Sequence, residues 1–141
     1  MKPEYNRGGL EPIAFLGTGI MGIPMCIQLL EAGLTVRVWN RSSEKAQPLA
    51  DKCAVVCSTP AQAVEGARVI IIMLSTGTVV EAILFDLDLS GRSLADHIES
   101  GAIVIVMSSI PVATSRSQAN RLAARGIHYV DAPVSGGERG A

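Results

Sequence analysis

Neither sign of charge is in real excess in this chain, since 12 Lys and Arg stand against 13 Asp and Glu and leave a net charge of −1. That balance offers no basic face, so a general role on nucleic acid or on an anionic membrane surface has no electrostatic support. Long apolar runs are absent too. No stretch approaches the roughly 20 residues of a membrane span, and Met1 to Leu10 lack the apolar centre of a signal peptide, so the expectation is a cytoplasmic protein without membrane contact. Cysteine is sparse: Cys26, Cys53 and Cys57 make an odd count with no C-x-x-C and no histidine at ligand spacing. A metal site is therefore not expected, and all three read as small buried hydrophobes. There is no internal repeat and no low-complexity tract.

What is present is a hydrophobic fraction of 48% in 141 residues, ample for one packed domain. The chain is organised around Ile13 to Gly22, an apolar strand-like run that breaks into Gly17-Thr18-Gly19-Ile20-Met21-Gly22 and continues with helical periodicity. G-x-G-x-x-G between a strand and a helix is a dinucleotide-binding pattern. The first glycine permits a sharp turn, the second lets backbone approach a pyrophosphate, the third permits close packing of the helix, and the helix start favours the negative charge. An ordinary glycine-rich turn has the same three residues, so the surrounding elements have to decide.

Residues 1–10, with Pro3, Gly8 and Gly9, read as a flexible arm, and 11–141 as the domain. The first helix ends at Gly33, and Leu34 to Trp39 alternates as a second strand. A helix capped by Ser42 or Ser43 is expected through Lys52, then a third strand at Ala54 to Cys57, then a helix from Ala61 to Gly66 opened by Ser58-Thr59-Pro60. Arg68 to Leu74 is almost continuously apolar, the mark of a central parallel strand. Helices at Thr78 to Phe85 and Ser93 to Glu99 lead to a fifth strand at Ile103 to Met107. A helix from Pro111 to Arg125 and a sixth strand at Ile127 to Val130 complete the alternation. Six strands alternating with helices specify an α/β, doubly wound parallel Rossmann sheet in the order 3-2-1-4-5-6, with helices on both faces. Ligand is then expected across the carboxyl ends, at the switch between strands 1 and 4.

The end of strand 2 is where an acidic residue would hold the ribose hydroxyls of NAD. Here it is Asn40-Arg41, followed by Ser42. An Asn tolerates a 2′-phosphate that a carboxylate would repel, and Arg can bind that phosphate bidentately, so the cofactor expected is NADP, with NAD still open. A lone arginine after a strand is also an ordinary solvated residue; the glycine turn in register is what favours the phosphate role. A methyltransferase reading is weaker, because the acid that holds the ribose of S-adenosylmethionine is missing.

Taken together, the glycine turn with Pro24, Asn40-Arg41-Ser42, Met73-Leu74, Met107-Ser108-Ser109-Ile110-Pro111 and Asp131-Ala132-Pro133-Val134-Ser135-Gly136-Gly137 resemble the β-hydroxyacid dehydrogenase family. That family includes 3-hydroxyisobutyrate dehydrogenase, tartronate semialdehyde reductase and 6-phosphogluconate dehydrogenase. The resemblance implies a Rossmann domain followed by an all-helical domain. It also implies hydride transfer between the nicotinamide and a small 3-hydroxy acid or semialdehyde. By the same resemblance Leu16, Gly17, Thr18, Gly19, Ile20, Met21, Gly22, Asn40, Arg41, Ser42, Met73, Leu74, Ser75 and Ser109 bind the cofactor. Ser135, Gly136 and Gly137 meet the carboxylate of a small substrate.

The family's catalytic lysine lies beyond Ala141, so no catalytic residue is assigned within the chain, and Lys2, Lys45 and Lys52 are wrongly placed for the role. His97 and His128 fall on a short helix and a strand and read as surface or core-packing residues. The chain looks cut after its Gly-rich end, with the helical substrate domain absent. The expectation is therefore a domain that binds cofactor without turnover; the alternative is a non-catalytic NADP-binding or interaction module. The face left open toward the absent domain predicts an apolar patch and a homo-oligomer. Two departures blur the substrate: Leu74-Ser75 replaces the family's frequent Leu-Pro, and Val106 stands where it often has Asp.

Overall fold

The computed structural model describes residues 11–141; the expected arm, residues 1–10, lies outside the described residues. Six parallel strands form one sheet: β1 (Ile13–Leu16), β2 (Val36–Trp39), β3 (Val55–Val56), β4 (Val69–Ile72), β5 (Ile103–Val106) and β6 (His128–Asp131). Their order is β3-β2-β1-β4-β5-β6, as the alternation of elements predicts. Between them run α1 (Gly22–Glu31), α2 (Gln47–Ala50), α3 (Pro60–Val64), α4 (Gly77–Phe85) and α5 (Val112–Ala123), and α6 (Gly137–Gly140) follows β6.

Successive strand residues point to opposite faces, and the sheet is buried on both. Ala14, Leu16, Ile70, Ile72, Val104 and Val106 face one layer of apolar residues from α3, α4 and α5, including Val64, Val80, Leu84 and Leu122. Ile13, Phe15, Val36, Val38 and Ile71 face the other, with Cys26 of α1 and Leu49 of α2. On the first face a half-buried polar chain, centred on Gln118, joins three elements. The Tyr129 hydroxyl donates to Gln118 Oε1 at 3.0 Å, and Gln118 Nε2 donates to Glu81 Oε2 at 3.0 Å. Arg121 pairs with the other Glu81 oxygen and lies 3.6 Å over the Phe85 ring. Gln118 is completely buried, so satisfying both ends of its amide is what makes its burial tolerable.

The structure corrects four expectations. The continuous helix from Ser42 or Ser43 through Lys52 is instead a 3₁₀ turn at Ser43–Lys45 followed by the single turn α2, and neither serine caps it through its side chain. Pro48 lies inside the expected helix, where it can donate no backbone hydrogen bond and restricts the preceding residue. The segment 93–99 is also a 3₁₀ turn, Leu94–His97, held by a reciprocal Ser93–Asp96 capping box. The Gly-rich end carries one helical turn, α6, rather than loop alone. Of the cysteines only Cys26 is buried, its thiol pushed up to about 12 by that burial. Cys57 is half-buried, and Cys53 is exposed in a left-handed conformation (φ 70°) at the turn into β3, where local geometry and not packing decides its place.

Candidate functional site

Parallel register brings the last residues of the strands into one row: Leu16 pairs with Trp39 and Ile72, Ile72 with Val106, and Val106 with Asp131. Every loop carrying a predicted site residue therefore leaves the same edge of the sheet. β1 and β4 are neighbours there while the chain leaves them in opposite directions across the sheet, which opens a crevice at that point.

The three glycines of the first loop do different things. Gly17 has φ +106°, and a Cβ on it would lie 2.0 Å from the Met73 carbonyl oxygen. Its N–H donates to Trp39 O at 2.9 Å, while Met73 N–H donates to Leu16 O at 2.8 Å, so the turn is wedged between the exits of β2 and β4. A Cβ on Gly22 would lie 2.0 Å from Gly17 O and 3.3 Å from the Phe15 ring, so this glycine seats α1 against the turn itself. Gly19 is different: a Cβ there would meet nothing within 4 Å.

Beside it Thr18 is fully buried, yet its Oγ1 has no hydrogen-bond partner. The start of α1 has no side-chain cap and no acidic residue in its first turn. An open glycine, an orphaned hydroxyl and the uncapped positive end of a ten-residue helix together suit an anion such as a pyrophosphate. These residues fit the cofactor that the pattern implies.

Asn40 spans two loops. Its Oδ1 accepts from Thr18 N–H at 3.0 Å and its Nδ2 donates to Ser42 O at 3.0 Å. Arg41, between them, is exposed and makes no ion pair or hydrogen bond among the described residues. At the β4 exit Met73 packs into the α1-side layer and Leu74 into the opposite one. Ser75 and Ser109 are exposed on the wall of an open cleft of about 830 Å³ between the starts of α4 and α5, together with Thr76, Pro111, Glu81 and Asp86. Ser135 is exposed, and Gly136 and Gly137 take φ +110° and +58° leading into α6. That loop is three strand spacings from the glycine turn, roughly 14 Å along the edge.

The sequence reading missed Ser108. It is 2% exposed, and its Oγ accepts from Leu74 N–H at 3.0 Å, which ties the β5 exit to the β4 exit beside the crevice. Its only signal was the Ser108-Ser109 pair, in which alternation after a strand turns one serine in and the other out. Also unforeseen was the Ser115 hydroxyl donating to Asp131 Oδ2 at 3.0 Å, which anchors the start of the Asp131–Gly137 loop.

Lys2 lies outside the described residues, and none of the described lysines and histidines lies on the β4, β5 or β6 exits. Lys45 is in the 3₁₀ turn and Lys52 follows α2. His128 begins β6, at the opposite edge of the sheet, and His97 faces Asp88 at 3.7 Å. No group of three or more metal-ligating side chains occurs among the described residues. No helix among them is long and apolar enough to cross a membrane.

A six-stranded parallel sheet in this order, with a glycine turn at its switch point, defines a nucleotide-binding domain of the Rossmann type. The sequence model described as the NAD binding domain of 6-phosphogluconate dehydrogenase matches residues 12–141, and the chain belongs to that family. The 3-hydroxyisobutyrate dehydrogenase of Pseudomonas aeruginosa is 38% identical over 132 residues, which are 94% of this chain and 43% of that protein.

Among solved structures, Mycobacterium tuberculosis 3-hydroxyisobutyrate dehydrogenase with L-serine matches at TM-score 0.84 and 34% identity, covering 94% of this chain and 43% of the other. Psf3 in complex with NADP+ and 2-OPP matches at TM-score 0.84 and 33% identity, covering 92% and 44%. The chain thus spans less than half the length of these relatives. Oxidoreductases of the hydroxyacid dehydrogenase kind are its kin, as the motifs imply.

Proposed function

We propose that the chain is the NADP-binding part of an oxidoreductase that moves a hydride between the nicotinamide and a small 3-hydroxy acid or semialdehyde. The observation that carries this reading is the pairing of the open Gly19 and orphaned Thr18 hydroxyl with an exposed Arg41 that no described residue engages. The first suits a pyrophosphate. The second supplies a planar cation where a 2′-phosphate would lie, with no carboxylate at the end of β2 to repel it. Binding of NADP+ by Psf3 supports the same choice.

In this reading Leu16 to Gly22 and the loop Asn40 to Ser42 form the pyrophosphate and adenosine end of the site, and Met73 to Ser75 with Ser109 hold the nicotinamide end. Ser135, Gly136 and Gly137 receive the substrate carboxylate through a hydroxyl and backbone N–H groups. The nicotinamide supplies the hydride when bound. No lysine or histidine of the described residues lies on the β4, β5 or β6 exits, where the nicotinamide and substrate would meet, to handle the accompanying proton, so the 141-residue chain binds cofactor without appreciable turnover. Ile103 is 36% exposed and Val130 44% exposed on the α1 side of β5 and β6, an apolar strip that favours self-association. The three free thiols suit a reducing, cytoplasmic setting.

Titration of the chain with NADPH and NADH tests the cofactor assignment. Tighter binding of NADH would refute the role given to Arg41. Robust reduction of a semialdehyde by the chain alone would refute the account of the missing proton donor.

A further inference from the structure

We infer that Asn40 is a positioning residue for the 2′-phosphate: its carboxamide fixes Arg41 relative to the glycine turn and does not itself contact the cofactor. The inference rests on the assignment of the 2′-phosphate to Arg41 above, and deepens it.

Both ends of the amide are committed within the protein. Oδ1 accepts the Thr18 N–H and Nδ2 donates to the Ser42 carbonyl, each at 3.0 Å. The bond to Ser42 closes a three-residue ring with Arg41 at its tip, so the backbone that carries the guanidinium is held from both sides. The bond to Thr18 ties that ring to the residue next to Gly19, where the pyrophosphate is seated in the proposed reading. With Asn40 in place Thr18 is completely buried, so the Asn40 carboxamide and not water accepts its N–H. One carboxamide therefore sets the spacing between the two phosphate-binding elements, which leave different strands.

The chemistry also explains the residue type. Asn is a donor and an acceptor on one planar group. Asp keeps an acceptor for Thr18 but turns an oxygen toward the Ser42 carbonyl, and Ala or Ser cannot reach both partners. The reason for Asn over Asp at this position is then geometric as well as electrostatic.

The test is a double-mutant cycle on the 141-residue chain, with dissociation constants for NADPH and NADH measured for the wild type, Asn40→Ala, Arg41→Ala and the double variant. The quantity read is the ratio of NADH to NADPH dissociation constants. The expected result is a fall in the ratio of about tenfold for Asn40→Ala, the weight of one misplaced charge-assisted hydrogen bond. In the Arg41→Ala background, removing Asn40 leaves the ratio where Arg41→Ala alone puts it.

A ratio unchanged in Asn40→Ala means a purely structural residue and overturns the inference. A further fall in the double variant means direct contact with the phosphate and overturns it too. A wild type that does not favour NADPH, or a ratio indifferent to Arg41→Ala, refutes the Arg41 assignment and takes this inference with it. Should Asn40→Ala fail to fold, Asn40→Ser serves in its place. Hydrogen exchange of the Thr18 amide gives a second readout: it is protected in the free wild type and released in the Asn40 variant, and an unprotected wild-type amide would contradict the clamp.

Discussion

Alanine at each glycine of the turn separates folding from binding. At Gly17 the new methyl lies 2.0 Å from the Met73 carbonyl oxygen, in a backbone with φ +106°. The conformational strain costs about 1–3 kcal/mol, and pushing the β1 and β4 exits apart costs about 1–3 more. Taking the middle, about 4 kcal/mol, the melting temperature falls on the order of 12 °C. Gly22→Ala brings the same 2.0 Å overlap, with Gly17 O, without the left-handed φ, and loses about 1–3 kcal/mol.

Gly19→Ala is the contrast. Its methyl meets no protein atom within 4 Å and its φ is outside the left-handed region, so stability is unchanged or rises by up to about 1 kcal/mol. NADPH binding nevertheless weakens by about 5- to 150-fold, the effect of crowding worth about 1–3 kcal/mol where the pyrophosphate would sit. Thermal melts read the first quantity and cofactor fluorescence titration the second. Gly19→Ala with wild-type affinity would refute the placement of the pyrophosphate. A Gly19→Ala melt as low as that of Gly17→Ala would refute the division of roles among the glycines.

Arg41→Ala, with an exposed side chain, leaves the melting temperature within a degree or two and weakens NADPH by about 1.5–3 kcal/mol, while NADH binding stays level. Isothermal titration with both cofactors checks it. Gln118→Ala strands the Tyr129 hydroxyl and removes the Glu81 partner in a completely buried place, and urea unfolding should read a loss of about 2–4 kcal/mol.

Acid should loosen the connection around the 3₁₀ turn. Asp96 is held at about 2 by the Ser93 N–H, the Ser93 hydroxyl and Arg125. Asp88 is held at about 2 by the Ser90 hydroxyl and the Arg92 N–H. Because both carboxyls lie below the ordinary 3.8, the stability they contribute is complete above about pH 4 and is lost as pH falls toward 2. Asp96→Asn should flatten that stretch of a stability-against-pH curve measured by circular dichroism, and an unchanged slope would count against it.

Much of the fold was legible because its signals are local. The apolar run Val69 to Ile72, the Thr59-Pro60 helix start with its Thr59 cap on Gln62 N–H, and Gly33 and Gly126 with positive φ after α1 and α5 each state their role within a few residues. The helix expected from the Ser42-Ser43 cap through Lys52 is interrupted at Pro48, which leaves one turn of α2. The segment expected as a helix over Ser93 to Glu99 is a 3₁₀ turn at Leu94–His97, although its Ser93–Asp96 capping box is also how α-helices begin. Cys53 was misread because apolar character said nothing of the left-handed turn that exposes it.

Within the site, glycine positions spoke for themselves while the side chains did not. Asn40 was read as a neutral neighbour of a phosphate, and its two hydrogen bonds emerged only when β1 and β2 were paired. By itself the sequence determined that this chain is a doubly wound α/β domain with a glycine turn at its first crossover, because periodicity and glycine placement act over a turn or a strand. Only the tertiary structure decided which glycine is free to face a ligand, that Asn40 reaches Thr18 22 residues away, and that Ser108 holds the Leu74 N–H 34 residues away. Those contacts depend on strand register and on the order in which strands lie side by side, and both are set by burial of the whole sheet between its two layers.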